Sequence, residues 1–403
     1  MSVLLAVPVE FWLFGLTLLG VATLPRYPLR VAAAGLAAIC LYKLGFDGFE
    51  TLPGLHGLLV HISGQLSGLV NLLLLLLGFA VLSDQFEQSK IPDAMPALLP
   101  DNWTGGAMLL GMIFLLSTFL DNIAAALVGG IIARHVYRGQ VNIGFLAAIV
   151  TASNAGGAGS VIGDTTTTLM WINGIPPLVV ARAFLASTTA LLVVAFIASW
   201  SQHKYAPITK HMARGLRIEW TRGAIVFLIL AAAVCANVGA TLWCPSWRDR
   251  VPFIGLAVWA AILLTTPVRR PDFKVLAPAF HGALFLLCLV TAASMMPVDR
   301  LPVPSWPTAL GLGFVSAVFN NIPLIALTLK QGGYDWAFLA YSVGVGGSIL
   351  WFGSSAGVAL VGMYPEAGSA RNWLRRGWYV PLAYLAGFAL MLAVLGWHPS
   401  PPV

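Results

Sequence analysis

Long apolar runs separated by short polar loops dominate this chain. A membrane-crossing helix needs about 20 mostly apolar residues. Residues 3–23, 30–44, 67–83, 178–200, 223–243, 251–267, 276–294 and 377–396 meet or approach that pattern. Two further stretches, 142–172 and 335–363, are longer and are interrupted by Gly-rich polar runs. Two others, 105–136 and 308–330, carry polar clusters at mid-length, Asp121-Asn122 in the first and Asn320-Asn321-Ile322-Pro323 in the second. The Pro-, Gly- and aromatic-rich segments 46–62 and 91–103 read as interfacial.

Composition narrows the class. Of 403 residues, 59% are hydrophobic and 9% charged, against about 25% charged in a soluble domain. With a mean hydropathy of +0.86, a soluble core, a disordered chain and a nucleic-acid binder are all excluded. The expected fold is an all-α polytopic membrane protein with membrane lipid as its surroundings. Four cysteines (Cys40, Cys235, Cys244, Cys288) show no CxxC spacing, so neither a disulfide framework nor a resident metal or cofactor follows from them. The run 3–23 lacks a basic leader and is long enough to span, which predicts a transmembrane helix and not a cleaved signal.

The formal charge of +7 then reads as topology, because cytoplasmic loops collect Lys and Arg. Let 105–136 and 308–330 be re-entrant hairpins and the other ten segments spans, with both termini outside. Sixteen of the 22 basic residues then fall on the inner side and six on the outer. As a simple span, 105–136 would invert every later loop and destroy that bias.

Two motifs recur in the same order. Ser117-Thr-Phe-Leu-Asp121-Asn122-Ile123 aligns with Ser316-Ala-Val-Phe-Asn320-Asn321-Ile322. Downstream, Gly156-Gly157-x5-Gly163-Asp164-Thr165 aligns with Gly346-Gly347-x5-Gly353-Ser354-Ser355. This predicts two repeats, 1–201 and 223–403, each with five transmembrane helices and one hairpin, joined by a basic cytoplasmic linker, 202–222. An odd number of spans per repeat inserts the second copy upside down. Inverted repeats whose broken helices meet near the midplane are a mark of secondary transporters.

Hydrocarbon does not tolerate free backbone polar groups unless they line a protein cavity. Helix unwinding at 153–159 and 163–168 would explain the small and polar residues there, with Gly156, Gly157, Gly163, Gly346, Gly347 and Gly353 permitting unusual backbone angles and close approach. Half-helix ends would then face an ion, and hydroxyl and amide oxygens would coordinate a hard cation. The candidate ion ligands are Asp121, Asn122, Ser153, Asn154, Asp164, Thr165, Thr166, Asn320, Asn321, Ser354 and Ser355. An acid at membrane depth is costly unless protonated or paired. Competition of a proton and a cation for one carboxylate is the chemistry of antiport. Against this stands a purely structural acid that caps half-helix N–H groups.

At these residues, above all the string Asn154-Ala-Gly-Gly-Ala-Gly-Ser-Val-Ile-Gly-Asp-Thr-Thr-Thr-Thr-Leu-Met-Trp171, the chain resembles the ion-transporter superfamily. That group includes NhaD-type sodium/proton antiporters, arsenite permeases and citrate/dicarboxylate carriers. The resemblance covers roughly residues 65–200 and 275–395 and is closest to the NhaD branch, where an Asp and several Thr follow the Gly. Dicarboxylate carriers typically show Ser-Asn-Thr tips and prolines after the Gly, and neither is present at 121–123, 320–322 or 165–168. What the resemblance implies is a sodium or lithium/proton antiporter that is not an enzyme, moving in elevator fashion as a homodimer, with a bacterial inner membrane as its expected location.

Rival readings are a carrier of a small anion such as citrate or arsenite, and an intramembrane aspartyl protease. Bare acids without a basic residue in either motif argue against a polyanion, and a protease leaves the duplicated half unexplained. Glu10 is expected in a scaffold role, Arg182 to snorkel outward, and His281 to be a satisfied buried histidine.

Overall fold

The computed structural model describes residues 8–24, 27–49, 54–94, 98–209, 217–243, 247, 251–297, 301–319 and 321–400. Asn320, one of the expected ligands, lies outside the described residues, as does Cys244. Among the described residues all regular structure is helical. The first half of the chain forms α1 (Val9–Thr23), α2 (Pro28–Tyr42), α3 (Gly54–Gln88), α4 (Ile91–Ala94), α5 (Trp103–Ser117), α6 (Asn122–Val136), α7 (Ile143–Ala158), α8 (Thr165–Ile172), α9 (Pro177–Ala181) and α10 (Phe184–Tyr205). The second half forms α11 (Trp220–Trp243), α12 (Phe253–Thr265), α13 (Leu276–Ser294), α14 (Trp306–Ser316), α15 (Asn321–Gln331), α16 (Trp336–Gly346), α17 (Ser355–Met363), α18 (Ala370–Arg376) and α19 (Tyr379–Leu395).

Each apolar run became helix, with two differences from expectation. The segment 46–62 is not a separate interfacial piece from residue 54 onward. It opens α3, which runs 35 residues and contains the expected span 67–83. Local Gly content suggested a break, but the apolar pattern continues through 54–66 and no proline interrupts it, so the helix propagates. The short span 30–44 is lengthened by a π-helical turn, Lys43–Asp47. Among the described residues, four helical stretches are long and apolar enough to cross a membrane: Pro28–Phe46, Gly54–Gln88, Pro177–Tyr205 and Phe273–Ser294. The pair α18–α19, bent by 60°, makes a fifth when counted as one span. Leu178, Phe227, Trp243 and Leu264 lie fully on the surface, as the wall of a lipid-embedded protein requires. The protein is a polytopic, all-helical membrane protein.

The chain packs into two compact units. One holds Met1–Gln85, Thr221–Pro302 and Ala326–Gln331; the other holds Phe86–Trp220, Val303–Ile325 and Gly332–Val403. Each unit draws on both halves of the chain, so the packing units are distinct from the two stretches that carry the repeated motifs. Within the first unit, α1 meets α2 where Gly35 lies against Thr17, with no room for a Cβ. Asn71 Oδ1 accepts from the Gly255 N–H at 2.8 Å, and Trp259 Nε1 donates to the Leu74 carbonyl at 2.9 Å. Glu10 is buried and pairs with Lys43 at 3.6 Å.

In the second unit, α7 and α16 are the core. Every residue from Gly144 to Ala158 and from Trp336 to Gly346 is buried. Both helices are mostly apolar around their whole circumference, and such helices are found inside, with Thr151, Ser153, Asn154 and Ser342 as their buried polar exceptions. Polar residues start them: Asn142 accepts from the Gly144 N–H and Asp335 from the Ala337 N–H, satisfying amides that a helix start leaves open.

The segment 105–136 folds back on itself. Gly106, at the start of α5, lies against Tyr137, just past the end of α6. Fifteen residues per arm span about 22 Å, short of a full crossing. The loop after α6 is stitched to the end of α10: Gln202 Oε1 accepts from the Asn142 N–H at 2.8 Å, and Gln202 Nε2 donates to the Gln140 carbonyl at 3.0 Å. The second hairpin, α14–α15, closes likewise, with Gly333 against Pro304. Helix α19 relates the two hairpins. Near its start, Tyr379 Oη donates to the Gly144 carbonyl at the head of α7. Beyond its end, the His398 N–H donates to Asp335 Oδ2 at the head of α16. The open ends of the two hairpins therefore lie toward opposite ends of α19.

Candidate functional site

Asp121, Asn122, Asn154, Asp164 and Thr166 lie together around the break between α7 and α8, whereas Asn321, Ser354 and Ser355 stand at the starts of α15 and α17. The break spans 159–164, narrower than the expected unwinding at 153–159 and 163–168, because 153–158 complete α7 and 165–168 open α8. The glycines explain where the helix stops. A Cβ on Gly156 would overlap the Phe114 carbonyl, and one on Gly163 would overlap the Ser117 carbonyl. The last turn of α5 therefore presses on the break, backbone against backbone. In the second half, Gly346 meets the Gly313 carbonyl and Gly353 meets those of Ser316 and Ala317. Unusual backbone angles play no part, since none of Gly156, Gly157, Gly163, Gly346, Gly347 or Gly353 has a positive φ. Close approach is the whole reason for glycine here.

Asp164 is the residue before α8. Its Oδ1 accepts from the Thr166 N–H at 2.9 Å, and its carboxylate sits at the positive end of the helix. Its Oδ2 accepts from Asn122 Nδ2 at 3.2 Å. The same Nδ2 donates to Asn154 Oδ1 at 3.1 Å, and Asn154 Nδ2 donates to Ser348 Oγ at 2.9 Å. Asp164 is 1% exposed, and Asn122, Asn154 and Ser348 are buried with it. Asp121 precedes α6, beside the N–H groups of Asn122 and Ile123, without closing a side-chain cap bond. The two acids lie within electrostatic range of each other. Among the described residues, no basic side chain forms a salt bridge with either acid. A buried carboxylate held by neutral donors alone is a costly arrangement, relieved when a proton or a cation joins it.

The four threonines divide in two. Thr167 and Thr168 both turn their hydroxyls to the Asp164 carbonyl at 2.9 Å. Thr167 also reaches the Ser160 carbonyl and Thr168 the Val161 carbonyl. These two staple the unwound segment, whose carbonyls would otherwise be bare. Ser160 Oγ ties it to the hairpin tip through the Thr118 carbonyl at 2.7 Å. Thr165 is half-buried, and the buried Thr166 Oγ1 stands beside the Asp164 carboxylate without a hydrogen bond of good geometry.

Of the other expected ligands, Ser153 turns its hydroxyl to the Val150 carbonyl of its own helix at 3.0 Å. Ser354 Oγ caps α17 by accepting from the Gly357 N–H at 3.3 Å. Asn321 is buried at the head of α15 and Ser355 half-buried at the head of α17. Ser348 was not among the expected residues. It directly follows the Gly346-Gly347 pair, a signal that was present, but its counterpart by the motif alignment is Ala158. Arg182 is half-buried at the end of α9. His281 corrects the expectation of a buried histidine: it is exposed on α13, with Nδ1 at 2.9 Å from the Ala277 carbonyl, because one bond within its own helix suffices on that face.

No protein-family model matches the chain. It is similar to sodium/proton antiporter 1 of Arabidopsis thaliana, 29% identical over 332 residues. That alignment covers 71% of this chain and 54% of the relative, so the chain spans little more than half the relative's length. Sodium/proton antiporter 2 of the same plant is 28% identical, covering 62% of this chain and 67% of the relative. The Na(+)/H(+) antiporter NhaD of Vibrio parahaemolyticus is 27% identical over 352 residues, covering 72% and 82%. The proteins it resembles in sequence are thus named as sodium/proton antiporters.

Proposed function

We propose that this chain is a secondary active transporter that exchanges sodium or lithium ions for protons across a membrane. One observation carries the reading: Asp164 is buried at a helix break and, among the described residues, held by neutral donors alone. A carboxylate so placed takes either a proton or a small cation, and one site that cannot hold both is sufficient for exchange. Asp121, Asn122, Thr166 and the carbonyl ends of α5 and α7 supply the remaining oxygens. Relatives named as antiporters support the same ion pair. The paired motifs, the matched glycine contacts and the opposed hairpins support an inverted repeat. A homodimer in a bacterial inner membrane, with inner loops as the basic residues place them, belongs to this reading.

The test is transport by the purified chain in proteoliposomes. Sodium or lithium should dissipate an imposed pH gradient, and potassium should not. Uptake of citrate or arsenite without cation-dependent proton movement would replace this reading with that of an anion carrier.

A further inference from the structure

We propose that Ser348 is a positioning residue for the ion site, and that the buried row Asp164–Asn122–Asn154–Ser348 reverses its hydrogen-bond direction as one unit when a cation binds. The inference deepens the antiport reading and rests on it. As it stands, the row points one way. Asn122 gives its NH2 group to both Asp164 and Asn154, and Asn154 gives its own to Ser348. An N–H donor suits a bare carboxylate, but a cation at Asp164 Oδ2 would meet the hydrogens of Asn122. Asn122 can serve the cation only by turning its Oδ1 toward it.

That turn cannot stop at Asn122. Its Oδ1 would then face Asn154 Oδ1, two acceptors without a proton between them, and a buried acceptor left bare is costly. Asn154 must turn as well, offering Nδ2 to Asn122 and Oδ1 to Ser348. A serine hydroxyl accepts or donates equally well, so Ser348 completes the row in either direction. Alanine can complete neither. Ser348 lies 194 residues from Asn154, in the break of the other half's helix, and its own backbone is held by Trp373 Nε1 at 3.4 Å and by an N–H bond to the Val345 carbonyl at 2.9 Å. Occupancy of the acid in one broken helix is thereby felt in the other.

The experiment compares wild type with Ser348→Ala, Ser348→Thr and Ser348→Cys in proteoliposomes containing a pH dye, with sodium as the probe. Ser348→Ala leaves the resting row ending on a bare Asn154 NH2 group and the reversed row on a bare Asn154 Oδ1. A buried orphan N–H is the worse tolerated of the two, so the half-saturating sodium concentration should fall, by about threefold, while the maximal rate changes little. Ser348→Thr should return it to within about twofold of wild type, because the hydroxyl is restored. If Ser348→Ala does not run as a monodisperse protein on a sizing column, Ser348→Cys replaces it, with a smaller fall expected because the thiol is a weak donor and acceptor. Unchanged half-saturation, a loss of maximal rate alone, or no rescue by threonine overturns the proposal and leaves antiport standing. Wild type that moves no protons with sodium or lithium overturns both.

Discussion

Asp164 and Ser354 hold the same place in two broken helices. Each precedes the second helical segment in extended backbone, at φ −139°, ψ 139° and φ −136°, ψ 151°, and each side chain accepts a backbone N–H from the turn that follows. The two positions share one structural duty, and only one of them carries a charge. If capping were all that Asp164 does, a serine or an asparagine would serve as well.

Replacing Asp164 by Asn separates the two roles. Asn keeps an oxygen for the Thr166 N–H but sets an NH2 group against Asn122 Nδ2 unless Asn122 turns, so the protein should still fold, at a cost of about 1 kcal/mol. Sodium-dependent dissipation of a pH gradient should fall to background. Wild-type exchange by a well-folded Asp164→Asn protein would make the carboxylate a structural cap and end the antiport reading.

Asp121→Asn asks the same of a residue that closes no cap bond. Its aligned counterpart is already Asn320, so the fold should accept the change. Loss of exchange with an unaltered melting temperature is the expected pair of results. Retention of full sodium-dependent exchange would remove Asp121 from the site.

The threonines offer a contrast within one helix turn. Thr167→Val removes a hydroxyl that serves the Ser160 and Asp164 carbonyls and should cost about 1–2 kcal/mol of stability. Thr166→Val removes one that closes no hydrogen bond of good geometry. It should leave the melting temperature almost unchanged and weaken sodium dependence. Thermal unfolding in detergent, paired with sodium titration of transport, reads both effects, and equal stability losses would deny Thr166 its separate role.

Gly163→Ala should destabilise by about 2–3 kcal/mol or more, because the added methyl has only the Ser117 backbone to push against and an overpacked core relaxes poorly. Gly111, on α5, has open space where its Cβ would be. Gly111→Ala should be neutral or stabilising by about 0.5 kcal/mol through the unfolded state. Comparable melting temperatures for the two variants would refute backbone contact as the reason for glycine at 163.

Sidedness can be read by labelling single cysteines in a background freed of Cys40, Cys235, Cys244 and Cys288. Gln140 and Lys204 are exposed at the end of the second unit that Gln202 stitches together. His398 is exposed at the other end of α19. Gln140→Cys and Lys204→Cys should react from the cytoplasmic side and His398→Cys from the opposite one. Reaction of all three from one side would contradict the opposed hairpins.

The membrane class and the presence of two acids among the small and polar residues were legible in the order of residues alone. Each rests on short-range physics: apolar run length, glycine clusters, and acids placed where hydrocarbon would surround them. The break itself is shorter than the expected unwinding at 153–159 and 163–168, since 153–158 and 165–168 are helical. The continuous 35-residue α3 was missed because Gly and His within 54–66 look like loop residues until the helix simply propagates through them. The Glu10–Lys43 pair and the row from Asp164 to Ser348 were beyond local pattern. Ser348 meets Asn154 across 194 residues, and nothing in the neighbours of either reports the other. Which threonine hydroxyl staples a carbonyl and which stands beside the acid was likewise decided only in three dimensions, since four identical side chains in a row differ only in what each one faces. Sequence therefore determined which groups are present at the break, and tertiary packing decided how they are paired, because hydrogen-bond direction depends on contacts that only the folded chain brings within reach.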